Sequence, residues 1–185
     1  MGIKTSHWKD QIDEITDDFN RIFEPLTPSE LNWKPNPGTW SIAQNIDHLI
    51  VINESYFQVF AQLREGKYEK PFWARFDFIP RFFGNAILKS VQPDQKRKVK
   101  TVPQWEPTVH TLDGQILKAF ENHQEKLKSE IDQSTELLEK ETVISSPTNR
   151  NIVYRLDKAF DIIVTHERRH FEQAKDILNQ LKQSK

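Results

Sequence analysis

The chain has 185 residues, no cysteine, 26 basic and 27 acidic side chains, and a formal net charge of -1. Without cysteine it has no disulfides, no thiolate metal ligands and no thiol nucleophile of its own. The balanced charge and a mean hydropathy of -0.71 speak against nucleic-acid or membrane partners and against a membrane-spanning chain. The apolar residues nevertheless fall in periodic runs, so residues 1–185 are read as one globular domain. The first fifteen residues carry no apolar run of the signal-peptide kind, and the cytoplasm is the expected location.

Residues 6–24 are predicted as the first helix. Ser6 is placed to cap it, and Trp8, Ile12, Ile15, Phe19, Ile22 and Phe23 recur at helical spacing. Pro25 and Pro28 end it, and residues 25–40 form a proline-rich connection containing Trp33 and Trp40. The second helix starts at Ser41, where Ser41 and Gln44 have the capping-box spacing and Trp40 can staple the first turn. It runs to about Arg64, with Gly66 as its stop.

Residues 65–110 are the least regular, with one short helix predicted over 79–89. They carry Phe72, Trp73, Phe76, Phe78, Phe82, Phe83 and Trp105, which implies a segment folded back over the core, as packing or as a pocket wall. The basic run from Lys96 to Lys100 reads as a solvated loop. Thr111 is the expected cap of a third helix from Leu112 to about Lys140. Residues 141–150 read as a loop, and the last helix is predicted from about Ile152 to Lys182.

Four long helices without a strand give an all-α fold. The connection over 65–110 is long enough to run back along the bundle, so the second and third helices can be parallel. The expected fold is therefore an up-down-down-up four-helix bundle with a long aromatic-rich crossover.

The chemistry concentrates on histidine. His166 and His170 are four positions apart, so both lie on one face of the last helix, and they interrupt its apolar stripe. His48 follows Ile46, precedes Leu49 and can face inward. If the second and last helices are antiparallel, the three imidazoles stand within a turn or two of one level, at about 1.5 Å rise per residue. Adjacent buried imidazoles need something to satisfy both, and a divalent metal does so. Three neutral histidines would leave coordination open, as in catalytic zinc sites. His123 lies in the polar run 121–125 and is read as solvent-facing, while His7 and His110 stand at helix starts where nothing singles them out.

His166-Glu167-x-x-His170 also matches the HExxH pattern of zinc peptidases, in which the glutamate is the general base. Such enzymes take a third ligand downstream, and residues 171–185 contain no histidine. A second resemblance covers nearly the whole chain. Trp33-x-Pro35, then Trp40-Ser41-Ile42-Ala43-Gln44-x-x-x-His48-Leu49, and finally His166-x-x-x-His170-x-x-Gln173, resemble the DinB-like superfamily. That resemblance implies an up-down-down-up bundle holding a divalent metal, zinc or nickel, on His48, His166 and His170. It implies a metal-dependent hydrolase, or a transferase that adds an external low-molecular-weight thiol such as bacillithiol or mycothiol to an electrophile. It also suggests a homodimer.

Glu167 is the candidate base, with a purely supporting carboxylate as its alternative. Asn45, one turn before His48, and Gln173, on the face of His170, are placed to orient ligands or water. The partner expected is a small-molecule substrate. A non-catalytic metal- or ligand-binding bundle is the alternative of a different class.

Overall fold

A computed structural model describes residues 5–94, 101–107 and 112–184. Helix α1 (Ser6–Phe23) buries Trp8, Ile12, Ile15, Phe19 and Phe23, the stripe read from the sequence. Its N-cap is Thr5, not Ser6, and no side chain caps it. The proline-rich connection, where the sequence predicts no element, contains one short helix, α2 (Pro28–Asn32). Thr27 and Glu30 form a capping box there, and Pro28 occupies the first turn, where a missing N–H costs nothing.

Helix α3 (Ile42–Arg64) starts as predicted. Ser41 Oγ accepts from the Gln44 N–H at 3.1 Å, and Gln44 Oε1 accepts from the Ser41 N–H at 3.2 Å. Gly66, at φ 66°, ends the element in the left-handed region that favours glycine. Helix α4 (Phe78–Ser90) is the short helix expected in the crossover.

The third long helix is shorter than predicted. It begins at Ile116 as α5 (Ile116–Gln133), and a separate turn, α6 (Thr135–Glu139), follows it. Leu112 is not helical, because Asn32 claims its backbone: Asn32 Nδ2 donates to the Leu112 carbonyl at 2.6 Å and Asn32 Oδ1 accepts from the Leu112 N–H at 2.8 Å. At the other end the Ser134 hydroxyl donates to the Glu130 carbonyl at 2.7 Å, where the helix breaks. The Thr111 cap, His110 and the basic run from Lys96 to Lys100 lie outside the described residues.

A hairpin corrects the strand-free expectation. β1 (Val143–Ser146) and β2 (Asn149–Arg155) pair antiparallel, with Ile144 opposite Tyr154 and Ser145 opposite Val153. The β-branched and aromatic residues on either side of the Pro147 turn suit a pleated, half-buried surface. The sequence pattern divides them between a loop over 141–150 and a last helix from Ile152, whereas that helix begins at Leu156 as α7 (Leu156–Gln183). Helix α4 packs on this hairpin and on α7. The approach is so close at Gly84 that an added Cβ would lie 2.7 Å from Lys158 Cγ and 3.2 Å from Tyr154 Cβ. The hydroxyls of Tyr56 and Tyr154 share a 2.7 Å hydrogen bond that ties the hairpin to α3; burial pushes the Tyr56 phenol up to about 12.

The chain is therefore mostly helical with one small sheet. Among the four long helices, α1 and α3 each lie against both α5 and α7. Their shared interior is aromatic. Phe19 meets Phe120 and Phe171 with ring centroids 4.8 and 5.2 Å apart, and Phe60 meets Phe160 at 5.3 Å. Each fully buried phenylalanine contributes roughly 1.5–3 kcal/mol by leaving water. The crossover packs only in part. Ala74, Pro80 and Gly84 are buried, but Phe72, Phe76, Phe78 and Phe82 remain exposed. Among the described residues no helix is long and apolar enough to cross a membrane.

Candidate metal centre

Helix α3 contributes His48 and α7 contributes His166 and His170, and these three rings converge. A nitrogen from each lies within 4.8 Å of the other two. His166 Nε2 and His170 Nε2 are 3.0 Å apart. Two imidazole nitrogens on one tetrahedral zinc, each at 2.0–2.1 Å from it, stand about 3.3 Å apart, so the pair is already near ligand spacing. His48 packs on His170 and His166 with centroids 4.6 and 5.3 Å apart.

The outer nitrogens decide what the inner ones can do. His48 Nδ1–H donates to the Trp105 carbonyl, since a carbonyl can only accept. His170 Nδ1–H donates to Asn45 Oδ1 at 2.7 Å. The orientation of that amide is set from its other end, where Asn45 Nδ2 donates to the Ser41 carbonyl at 2.8 Å. Both rings therefore carry their lone pair on Nε2, facing the cluster. Such support of the far nitrogen is how proteins orient imidazole ligands and raise their basicity. Desolvation lowers the pKa of all three histidines, and at His166 and His170 the neighbouring histidines and Arg169 lower it further. Neutral imidazoles with converging lone pairs suit a divalent cation, and the donor set lacks sulfur.

Asn45 is thereby hydrogen-bonded to one ring of the histidine cluster. Asn45→Ala is expected to weaken metal binding 10- to 100-fold while leaving the helix intact, as measured by competition with a chromophoric chelator. An unchanged affinity would remove Asn45 from the site.

Two aromatics complete the surroundings. Trp40 lies against the imidazoles, 4.8 Å from the His48 centroid and stacked 6.0 Å from His170. Trp105, whose carbonyl accepts from His48, also donates its indole Nε1–H to Ser55 Oγ at 3.2 Å. The sequence marked Trp105 only as one crossover aromatic among several.

Glu167 is turned to a different interface. It is fully buried, and Asn53 Nδ2 donates to its Oε1 at 2.7 Å while Gln124 Nε2 donates to its Oε2 at 2.8 Å. Burial pushes its carboxyl up to about 7 against the opposing pull of those two amides. The carboxylate thereby joins α3, α5 and α7. A polar Asn53 within the inward stripe of α3 was the available signal for this network. Gln173 is half-buried on α7, and among the described residues no hydrogen bond links it to the histidines.

His123 is a correction. It is 3% exposed rather than solvent-facing, and its ring stacks on Phe57 at 5.1 Å. Neither ring nitrogen has a hydrogen-bond partner among the described residues. Burial, with a smaller contribution from Lys126, lowers its pKa to about 4. The unfolded value is about 6.5, so the stability at stake is fully present above that pH and declines as pH falls towards the folded value. The slope amounts to roughly 2 kcal/mol between pH 6.5 and 5. Glu167, with its raised pKa, contributes the opposite slope over that window. His123→Phe is therefore expected to lose less stability than the parent between those pH values in paired urea titrations. Identical losses in the two proteins would contradict a neutral, desolvated His123.

A family model described as the DinB superfamily matches residues 11–174. The chain belongs to the DinB superfamily. No curated protein and no solved structure matches it. The DinB match runs from within α1 to well into α7, and so includes His48, His166, His170 and Asn45.

Proposed function

We propose that this DinB-superfamily protein is a divalent-metal-dependent transferase that joins an external low-molecular-weight thiol to an electrophilic small molecule. The observation that carries the reading is the convergence of the His48, His166 and His170 nitrogens with their far nitrogens fixed by Asn45 and the Trp105 carbonyl. The reading includes zinc or nickel as the ion and an up-down-down-up order of α1, α3, α5 and α7. It places the enzyme in the cytoplasm, where thiols stay reduced.

A divalent ion held there supplies a Lewis acid that favours thiolate over thiol. The chain's own residues position: the three histidines would hold the ion, Asn45 and the Trp105 carbonyl fix two of the rings, and Trp40 lies against two of them. In the overall reaction the thiol proton passes to solvent, a sulfur–carbon bond forms, and the leaving group departs with its electron pair.

Thiol transfer is favoured over hydrolysis because both oxygens of Glu167 are already engaged by amides. A divalent ion would acidify a bound water to about 7 as well as a thiol, so acidity does not choose between them; the engaged Glu167 leaves the HExxH kind of hydrolysis without its general base. The test is an assay of the zinc- or nickel-loaded protein with a small thiol and a chloronitrobenzene electrophile, beside a nitrophenyl ester without thiol. Thiol-dependent conjugation that disappears in His170→Ala is expected. Ester cleavage alone would select a hydrolase, and inertness in both assays at full metal content would select a non-catalytic binding bundle.

A further inference from the structure

The three candidate ligands are not equally covered. His48 and His170 are buried, and each has its far nitrogen engaged, by the Trp105 carbonyl and by Asn45. His166 is only half-buried, so the accessible side of the cluster is its side. On α7, residues His166, Arg169, His170 and Gln173 follow one another at spacings of three and four and share one face. At about 100° per residue, His170 stands roughly 40° to one side of His166 and Arg169 roughly 60° to the other. Arg169 therefore flanks His166 on the side away from His170, and like Gln173 it is half-buried.

The two neighbouring arginines of α7 are held differently. Arg168 pairs with Glu14 and Asp18 of α1 at 2.9 and 2.8 Å, which neutralises it within the bundle. Arg169 Nη1–H donates to the Ser90 carbonyl at 2.5 Å, at the end of α4, which fixes the guanidinium between α4 and α7. Its charge is close enough to lower the pKa of both His166 and His170, whereas the acid that acts on the cluster, Asp47, acts on His48. A cation fixed beside a site suited to a divalent cation is repelled once the ion arrives, and an anion bound alongside relieves that repulsion. A guanidinium carries five N–H donors in a rigid fork, enough to hold the Ser90 carbonyl and a carboxylate together.

We infer, on the thiol-transfer reading above, that Arg169 is a specificity residue: it binds a carboxylate carried by the incoming thiol, so that the protein selects anionic low-molecular-weight thiols over neutral ones. The thiolate goes to the ion and the carboxylate to the guanidinium, at the one ring of the three that is not buried. Arginine suits the task because its planar fork matches a carboxylate in two parallel hydrogen bonds.

The experiment is isothermal titration calorimetry of the full zinc-loaded chain with mercaptopropionate and with mercaptoethanol, thiols of similar size that differ in the carboxylate. Parent, Arg169→Gln and Arg169→Lys are compared, with metal content and thermal midpoint measured on each. The parent is expected to bind mercaptopropionate about 10- to 100-fold more tightly than mercaptoethanol, the worth of one charge-assisted pair. Arg169→Gln should bring the two dissociation constants to within about threefold of each other at unchanged metal content. A preference that survives in Arg169→Gln overturns the inference: the carboxylate is then read by the ion itself, and the arginine only holds the end of α4. Arg169→Lys keeps the charge and a donor for Ser90, and so guards against a folding defect in the glutamine variant. It should retain part of the preference, and a folded, metal-loaded lysine variant that binds both thiols alike overturns the inference as well. Equal binding of the two thiols by the parent overturns this inference and leaves thiol transfer standing, whereas binding of neither overturns both.

Discussion

His170→Ala is expected to lower the metal content of the purified protein from about one ion per chain to roughly a tenth of that or less, read by elemental analysis after dialysis. His170 is the ring with the most complete support, taking Asn45 on one nitrogen and facing His166 with the other. Its loss removes a ligand and leaves the Asn45 carbonyl oxygen without its donor. The same substitution should abolish the thermal response to chelator. An ion present at a thousand times its dissociation constant stabilises the native state by about 4 kcal/mol. A domain of this size shifts roughly 2–4 °C per kcal/mol, so chelation should lower the parent midpoint by about 8–16 °C and leave His170→Ala unmoved. His48→Ala and His166→Ala should behave alike. Stoichiometric metal in all three variants would refute the site.

Glu167→Ala should be the most destabilising single substitution near the centre. It strands the Asn53 and Gln124 amide donors in a buried space, where each orphan costs about 1–3 kcal/mol, for a total of roughly 2–6 kcal/mol in urea unfolding. Glu167→Gln keeps the volume but can accept from only one of the two donors without an amide flip, so a smaller loss of about 1–3 kcal/mol is expected. Its folded pKa of about 7 stands above the ordinary carboxylate value. The parent therefore loses this part of its stability as pH rises from about 4.5 towards 7, at about 1.4 kcal/mol per unit, and Glu167→Gln lacks that slope. The glutamine variant also tests the base suggested by the HExxH pattern. A thiol-transfer rate near the parent's, at full metal content, fits a carboxylate that holds three helices together. A rate lowered by several orders of magnitude without loss of metal or fold would return Glu167 to the chemistry.

Particular residues explain what could be read in advance. The three histidines were legible because two lie one turn apart on an apolar stripe and the third sits behind a capping box, and all of these are local patterns. The hairpin was not legible, because Ile152, Val153 and Tyr154 also continue the spacing of the helix that follows. The burial of His123 was concealed by its polar neighbours, although Phe120, Gln124, Leu127 and Ile131 keep one helical face around it. Trp105 could not be found from sequence, because what it gives His48 is a backbone carbonyl delivered by the path of a long loop.

The candidate ligands are divided unequally along the chain. His166 and His170 are four positions apart and meet as soon as α7 forms, whereas Asn45 and His170 are separated by 125 positions. A two-toothed half is thus local, and the third tooth arrives only when α3 docks. An ion seated between them would be held from both helices, so parting of α3 from α7 would strip it of a ligand. Its residence time would then follow the breathing of the α3–α7 contact more than the strength of any one bond, and metal exchange would serve as a clock for opening of the interior.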